Sequence, residues 1–508
     1  MSHRWKLIIA VAVVMLVLMV VWVVTFFVTP DNDVEAYRKS LIAKGEKLEI
    51  SQVMPAPVPP EQNGAEVVRQ AFRLLIPMQV EYTNSPEAMW PVAPGKAMVA
   101  FKQSEVRIRY ITNSWSNVLS TAEANRPAME FLRQAASFPA ISFDLDYSNE
   151  MNVGMASLTL LWPAALGLSA ETICDLHQGD AALAATNIDV LLALVNEEQG
   201  ERLFYIQQLR VYQLDAAARD TWELLQSDHL KDEPLAMLQA GWERLEFVHS
   251  AENTLMMARA MNEAEIKKMR TSNEYADRVM RAWTGGMAAG GSGAVWQNAK
   301  RTASRALWLE SWTYSDELLM LQEEQIILEA IRTVETNGYF NPAFTNMQNQ
   351  CDAMTTNETG SFLEKLDDHG VHRLFASRSR GLARSFGGIL RSEAARQMTV
   401  AAIALKRYQL KHGGYPEKLD SLVPEFVAKV PRDPIDGKPL RYRLNADGTF
   451  VLYSIGENGV DDGGTPAASA PTRSDANFFW LNDTAPDWVW PQPATAAEIE
   501  YYYDHLPR

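Results

Sequence analysis

The sequence predicts a mainly α-helical protein. It has an N-terminal transmembrane helix, a large domain of α-helical hairpins and a small C-terminal α+β module with an antiparallel sheet. Three patterns carry that expectation. Leu7–Val28 is an unbroken uncharged run. Apolar residues between about Asn63 and Leu390 recur at spacings of three and four, the period of a helix face. After Pro439 the period changes to two, the signature of a half-buried strand.

The apolar run holds 22 residues, and Thr25 is its one polar member. At about 1.5 Å per residue it spans about 33 Å, enough for a bilayer core. Arg4 and Lys6 precede it, and Asp31, Asp33 and Glu35 follow. The positive-inside rule then sets the N-terminus in the cytoplasm and the bulk of the chain outside it. A cleaved signal peptide would have a shorter apolar core and a small-x-small site after it, and neither is present. The run also lacks the Gly and Glu of a pilin-type leader.

Composition narrows the function classes. The chain has 508 residues, with 47 basic against 63 acidic side chains, a formal charge of −16. That balance argues against nucleic acid as a partner, because phosphate contacts need cationic side chains. Two cysteines, Cys174 and Cys351, leave no disulfide framework and no cysteine zinc site.

Residues 29–62 read as a tether after the anchor (1–28). Val34–Leu48 offers one short helix, and Pro55, Pro57, Pro59 and Pro60 stiffen an extended stretch. The helical domain follows, residues 63–390. In Ala181–Asn196 the residues Leu183 or Ala184, Ile188, Leu191, Leu192 and Val195 form one apolar stripe. Gly179 suits the end of the preceding helix and Asp180 the N-cap of the next, which predicts a hairpin. Leu203–Leu225 and Pro234–Asn262 read as further long helices. Nine of the 14 tryptophans lie between Trp90 and Trp312, where they serve best as core anchors between helices. Thr284–Gly293, with five glycines in ten residues, breaks the pattern and reads as a loop. Arg373–Arg396 carries six arginines against Glu393 alone. Anionic lipid headgroups or plain solvent would suit such a helix face.

The module spans residues 391–482. Ala394, Met398, Ala401, Leu405 and Tyr408 make one apolar helix face, ended by Gly413-Gly414. Leu440, Tyr442 and Leu444 form a strand. Asn445–Gly448 is a turn, and Thr449–Ser454 is the return strand. The loop after it sets Asn458, Asp461 and Asp462 among glycines. Oxygen ligands at such spacing suit a hard cation, and Asp-Gly clusters are also ordinary turn formers. Residues 483–508 form an aromatic tail with Trp488, Trp490 and Tyr501–Tyr503, which is expected to pack back on the module.

These residues resemble a known family. Ala404-Leu405…Tyr408, Gly414-Tyr415-Pro416, Pro431…Asp433-Pro434, Gly437…Pro439-Leu440…Tyr442 and Leu452–Gly459 are similar, in order, to the globular domain of type II secretion system major pseudopilins. Asp475 followed by Trp480 resembles that family's later Asp and Trp. The resemblance implies a structural Ca²⁺ held by Asn458, Asp461, Asp462 and Asp475, with carbonyls of Ile455 and Val460. This chain departs from the family in three ways. Asn458 stands where Asp is common, Gly464–Arg473 lengthens the loop with Pro, Ala and Ser, and 362 residues separate Val28 from Arg391. The resemblance further implies a bacterial inner-membrane protein whose bulk is periplasmic, anchored by residues 7–28 and working with a protein partner.

No catalytic pattern stands out. The eight histidines form no HExxH, and there is no Gly-x-Ser-x-Gly elbow. Asp433 and Asp436 flank Pro434 as turn formers that could also act as an acid–base pair. The expected role is therefore structural or interactive and non-enzymatic, associated with a type II secretion or pilus-like apparatus. The alternatives are an anchored scaffold unrelated to secretion, or an enzyme whose site assembles from distant helices.

Overall fold

The computed structural model describes residues 31–76, 86–108, 111–148, 161–283, 302, 305–356, 373–467, 481 and 485–505. Leu7–Val28, the glycine loop Thr284–Gly293 and Asp475 lie outside them. Among the described residues no helix is long and apolar enough to cross a membrane. The protein is mainly helical, with small sheets, and divides into two compact units.

The first unit takes in Met1–Met54, Leu255–Glu329 and Asn346–Arg384. Its core gathers Val34, Leu41, Ile266, Met269, Trp308, Trp312, Leu321 and Phe375. The presence of Val34 and Leu41 there corrects the tether reading of residues 29–62. Val34, Tyr37 and Leu41 are spaced three and four apart on the helix Asp31–Ala43, and that stripe is buried or half-buried. On the same helix Arg38 reaches Glu263 at 2.8 Å and also pairs with Glu317.

The second unit takes in Pro55–Thr254, Ala330–Thr345 and Ser385–Arg508. The expected hairpin is there, made of helices Leu161–Gln178 and Ala181–Glu197. Gly179 joins them at φ +87°, a conformation only glycine adopts cheaply. The Asp180 carboxylate caps the second helix by accepting the Leu183 N–H at 3.0 Å. Phe204–Leu225 follows as expected. Pro234–Asn262 does not form one helix. It is split into Asp232–Arg244 and Val248–Thr271. Leu245 turns extended and buries its side chain, as does Phe247. The intervening Glu246 carboxylate accepts the N–H groups of His249 and Ser250, starting the next helix.

Arg210 locks this junction. It is fully buried, and its guanidinium donates to Val195 O, Gln207 Oε1, Ser250 Oγ and Glu246 O at 2.7–2.9 Å. Arg210→Met would fill much of the volume but orphan four acceptors. The expected loss is on the order of 3 kcal/mol in urea unfolding.

The module belongs to the second unit, and its boundaries differ from 391 and 483. Its helix is one continuous segment, Leu374–His412, of which residues to Arg384 fall in the first unit. The apolar face runs as expected, with Ala394, Met398, Ala401 and Leu405 fully buried. Strands β5 (Arg441–Leu444) and β6 (Phe450–Ser454) pair antiparallel, with Tyr442 opposite Leu452. The tail is no appendage. Its first strand, β7 (Trp488–Val489), pairs with β6. Its second, β8 (Gln492–Pro493), pairs in parallel with β2 (Lys96–Met98) of the hairpin β1–β2, where β1 is Trp90–Ala93. A second hairpin, β3 (Val106–Ile108) with β4 (Ile111–Asn113), lies nearby in sequence. Neither hairpin was foreseen, because Trp90–Asn113 is too short and too mixed to show a period.

The tryptophans anchor cores. Trp222, Trp242 and Trp308 are fully buried, and so is Trp488 in the tail. Trp222 Nε1 donates to Pro491 O at 2.8 Å, tying the tail to the helix Phe204–Leu225. The arginine run also resolves. Within the first unit Arg378 pairs with Glu265 and Arg380 with Glu323. Within the second, Arg391 pairs with Glu457 and Arg396 with Glu393. These four guanidiniums neutralise internal acids, so neither the lipid-facing nor the solvated reading describes them.

Candidate ligand-binding cleft

A cleft of about 390 Å³ opens in the second unit where the module meets the helical hairpins. Its floor is one stripe of the helix Leu374–His412, formed by Ala402, Lys406 and Gln409 at helical spacing. One wall is Leu225, Gln226 and Asp228, at the end of the helix Phe204–Leu225, with Lys102 beside them. The hairpin turn Asp447–Phe450 and the tail residues Trp490–Pro493 close the other side. A neighbouring cavity of about 370 Å³ shares Lys102, Gln226 and Pro493.

Several lining groups are already engaged. The Gln226 amide donates to Trp222 O and the Gln492 amide to Phe450 O, which braces the walls. Lys102 Nζ lies 3.3 Å from Asp228 Oδ2. Asp447 at the rim accepts from Thr449 N and Oγ1. Three groups are different. Lys406 Nζ, the Gln409 amide and the Tyr415 hydroxyl make no hydrogen bond or ion pair among the described residues, and all three line the cleft. Burial pushes the Lys406 ammonium below its usual pKa, with Asp228 opposing the shift and Lys102 adding to it. Burial likewise raises the Tyr415 phenol, whose ring meets Phe450 edge-on at 4.8 Å.

The described part of the loop expected to hold calcium is knit by its own hydrogen bonds, and Asp475 lies outside the described residues. Asn458 Nδ2 donates to Asp462 Oδ2 at 3.2 Å, and Asn458 Oδ1 accepts Val460 N. Asp461 Oδ1 accepts the Tyr453 hydroxyl and Gly463 N, and its other oxygen lies 3.6 Å from Arg441. Ile455 N donates to Asp433. The group that organises the loop is Asp487. It is buried, and its carboxylate accepts Asp462 N, Gly464 N and Thr465 N. Sequence reading did not name it. The signal was present in Asp487-Trp488, an acid followed by a tryptophan that pairs with Ser454. With Asp487 holding three amides, calcium titration of the full chain, followed by thermal melting, should leave the melting temperature unchanged. A rise that Asp461→Asn abolishes would assign the loop to the metal.

Among the described residues the one group of three with metal-ligand side chains is His249, Glu252 and Glu335. His249 Nδ1 stands 3.1 Å from Glu335 Oε1, but Arg332 already pairs with Glu252 at 2.6 Å, and the group faces solvent. Elsewhere in this unit the buried acids serve structure. Glu223 accepts Met89 N and Ala100 N, Asp220 accepts the Ser169 hydroxyl, and Asp175 accepts the Asn187 amide. Asp433 and Asp436 both bind Arg441, and Asp433 also accepts Ile435 N, so the turn-forming reading describes them.

No family model matches the chain, and no curated protein or solved structure does either. Function therefore has to be argued from the cleft. Sequence reading missed it for a definite reason. Lys406 and Gln409 sit one position round from the apolar face Ala401-Leu405-Tyr408, so they look like an ordinary polar flank. Nothing local reveals that Leu225–Asp228 stands opposite them.

Proposed function

We propose that this protein is a membrane-anchored, extracytoplasmic structural and interaction protein, and that the cleft is its contact surface. The observation that carries this reading is the set of three unengaged polar groups lining one cleft. The three are part-exposed, so water serves them in the free protein, and a ligand entering the cleft would meet three donors that no side chain has to release. The non-enzymatic reading is supported by the structural contacts of several buried carboxylates: Glu223 accepts Met89 N, Asp220 the Ser169 hydroxyl and Asp316 Phe375 N, and Glu171 pairs with Arg133.

A photo-crosslinking residue at Gln409, in cells with intact membranes, tests the contact surface. Adducts are expected from Gln409 and not from the exposed Tyr501 of the tail helix. Silence at Gln409 would remove the cleft from the proposal.

The association with a type II secretion or pilus-like apparatus is a second reading. It is favoured by a long helix, a Gly-Tyr-Pro corner and the β5–β6 hairpin in the order that a pseudopilin domain uses. Structural calcium belongs to the same reading. Co-purification of secretion components with the anchored chain tests it, and their absence would leave an anchored scaffold unrelated to secretion.

A further inference from the structure

We infer that the cleft binds a carboxylate, the anionic end of a small ligand or of a peptide chain. This rests on the reading of the cleft as the contact surface. The three unengaged groups are an ammonium (Lys406), a primary amide (Gln409) and a phenol (Tyr415). Each can donate, and the ammonium can only donate. A carboxylate offers two oxygens with about four acceptor positions, which is capacity enough for all three donors.

The charge balance points the same way. Lys102 lies 3.3 Å from Asp228; Asp228 also attracts Lys406, but Lys406 Nζ makes no direct ion pair among the described residues. Asp447 is at the exposed rim with one oxygen held by Thr449, where solvent screens it. A dianion such as a phosphate monoester would bring a second charge against Asp228 and Asp447. A monocarboxylate matches Lys406, the one cation lining the cleft without an ion pair among the described residues. The aromatic surfaces of Tyr415, Phe450 and Trp490 give the rest of the ligand a flat, largely apolar bed.

The test is calorimetric titration of the full chain with paired probes: benzoate against benzamide, and a free-acid tetrapeptide against its C-terminal amide. Acids are expected to bind saturably, and each amide roughly tenfold or more weakly, since a charge-assisted hydrogen bond is lost. Lys406→Met should weaken the acids by a similar factor and leave the amides unchanged. Lys406→Arg should retain most of the affinity. Tyr415→Phe should cost roughly threefold or more. Preference for benzoate would assign a small-molecule ligand, and preference for the tetrapeptide acid a chain end. Equal binding of acid and amide, indifference to Lys406→Met, or no binding of either acid at about 10 mM, the range of the weakest specific sites, would overturn the inference. Crosslinking from Gln409 that persists alongside such a failure would leave the contact surface standing and remove the carboxylate alone.

Discussion

Asp433→Ala is expected to lower the unfolding free energy by about 3–5 kcal/mol, the range for stripping one partner from a buried charged cluster. Asp433 is fully buried, and both its oxygens are fully used. Oδ1 accepts Ile435 N at 3.0 Å and the Ser454 hydroxyl at 2.8 Å. Oδ2 accepts Ile455 N at 2.9 Å and the Arg441 guanidinium at 3.0 Å. One side chain thus ties the Pro434 turn, the end of β6 and the start of the following loop to a strand cation. Asparagine does not rescue it. Whichever oxygen becomes an NH₂ would point donors at donors, so Asp433→Asn should recover only a minor part of the loss. Asp487→Ala should behave similarly but more mildly, because its three amides lie nearer solvent. Urea denaturation of the full chain measures all three. An Asp433→Asn variant as stable as the parent would show that the carboxylate is not what holds the corner.

The second large effect is on pH. In the second unit burial raises Glu197, Glu198 and Glu223 to about 8, and Asp175 and Asp220 to about 7. In the first unit it raises Glu263 to about 8, Glu324 to about 7 and Asp316 to about 6. These acids have folded pKa values above their unfolded ones. Between about pH 4.5 and 8 the folded chain therefore holds protons that the unfolded chain has lost, and stability falls as pH rises through that window. Above about pH 8 the loss is complete and the curve flattens. At the acid end groups such as Asp461, held low by Gly463 N–H and the Tyr453 hydroxyl, act in the opposite sense. The expected result is a melting temperature clearly higher near pH 5.5 than near pH 8.5. Glu223→Gln removes the titrating charge but turns an NH₂ towards backbone donors, so it should cost stability at pH 5.5 and narrow the difference between pH 5.5 and 8.5. A melting temperature that climbs from pH 5.5 to 8.5 would contradict the whole argument.

The same residues show what a single sequence discloses. The Gly179-Asp180 hairpin and the β5–β6 hairpin were legible because both signals, the period and the turn, lie within one short window. The break at Leu245–Phe247 was not. Its cause is Glu246, whose capping role is invisible without knowing that its neighbours Leu245 and Phe247 are both buried. The helix Asp31–Ala43 was misjudged for a related reason: three apolar positions are a weak stripe until an opposing core is known. Asp487 and Lys406 needed contacts across long stretches of chain, and no local pattern encodes those.

The tail strands have a consequence for biosynthesis. Lys96 and Glu498 form an ion pair although they are 402 positions apart, beside the pairing of β2 with β8. Until Trp488–Asp504 has left the ribosome, β2 keeps an open edge, and the Trp222 indole lacks its acceptor on Pro491. Open edges of this kind invite pairing with other chains. A message truncated before Trp488 would yield a nascent product that proteases and chaperones can recognise, while a completed chain latches itself. The segment thus covers, late in synthesis, an edge that was laid down early.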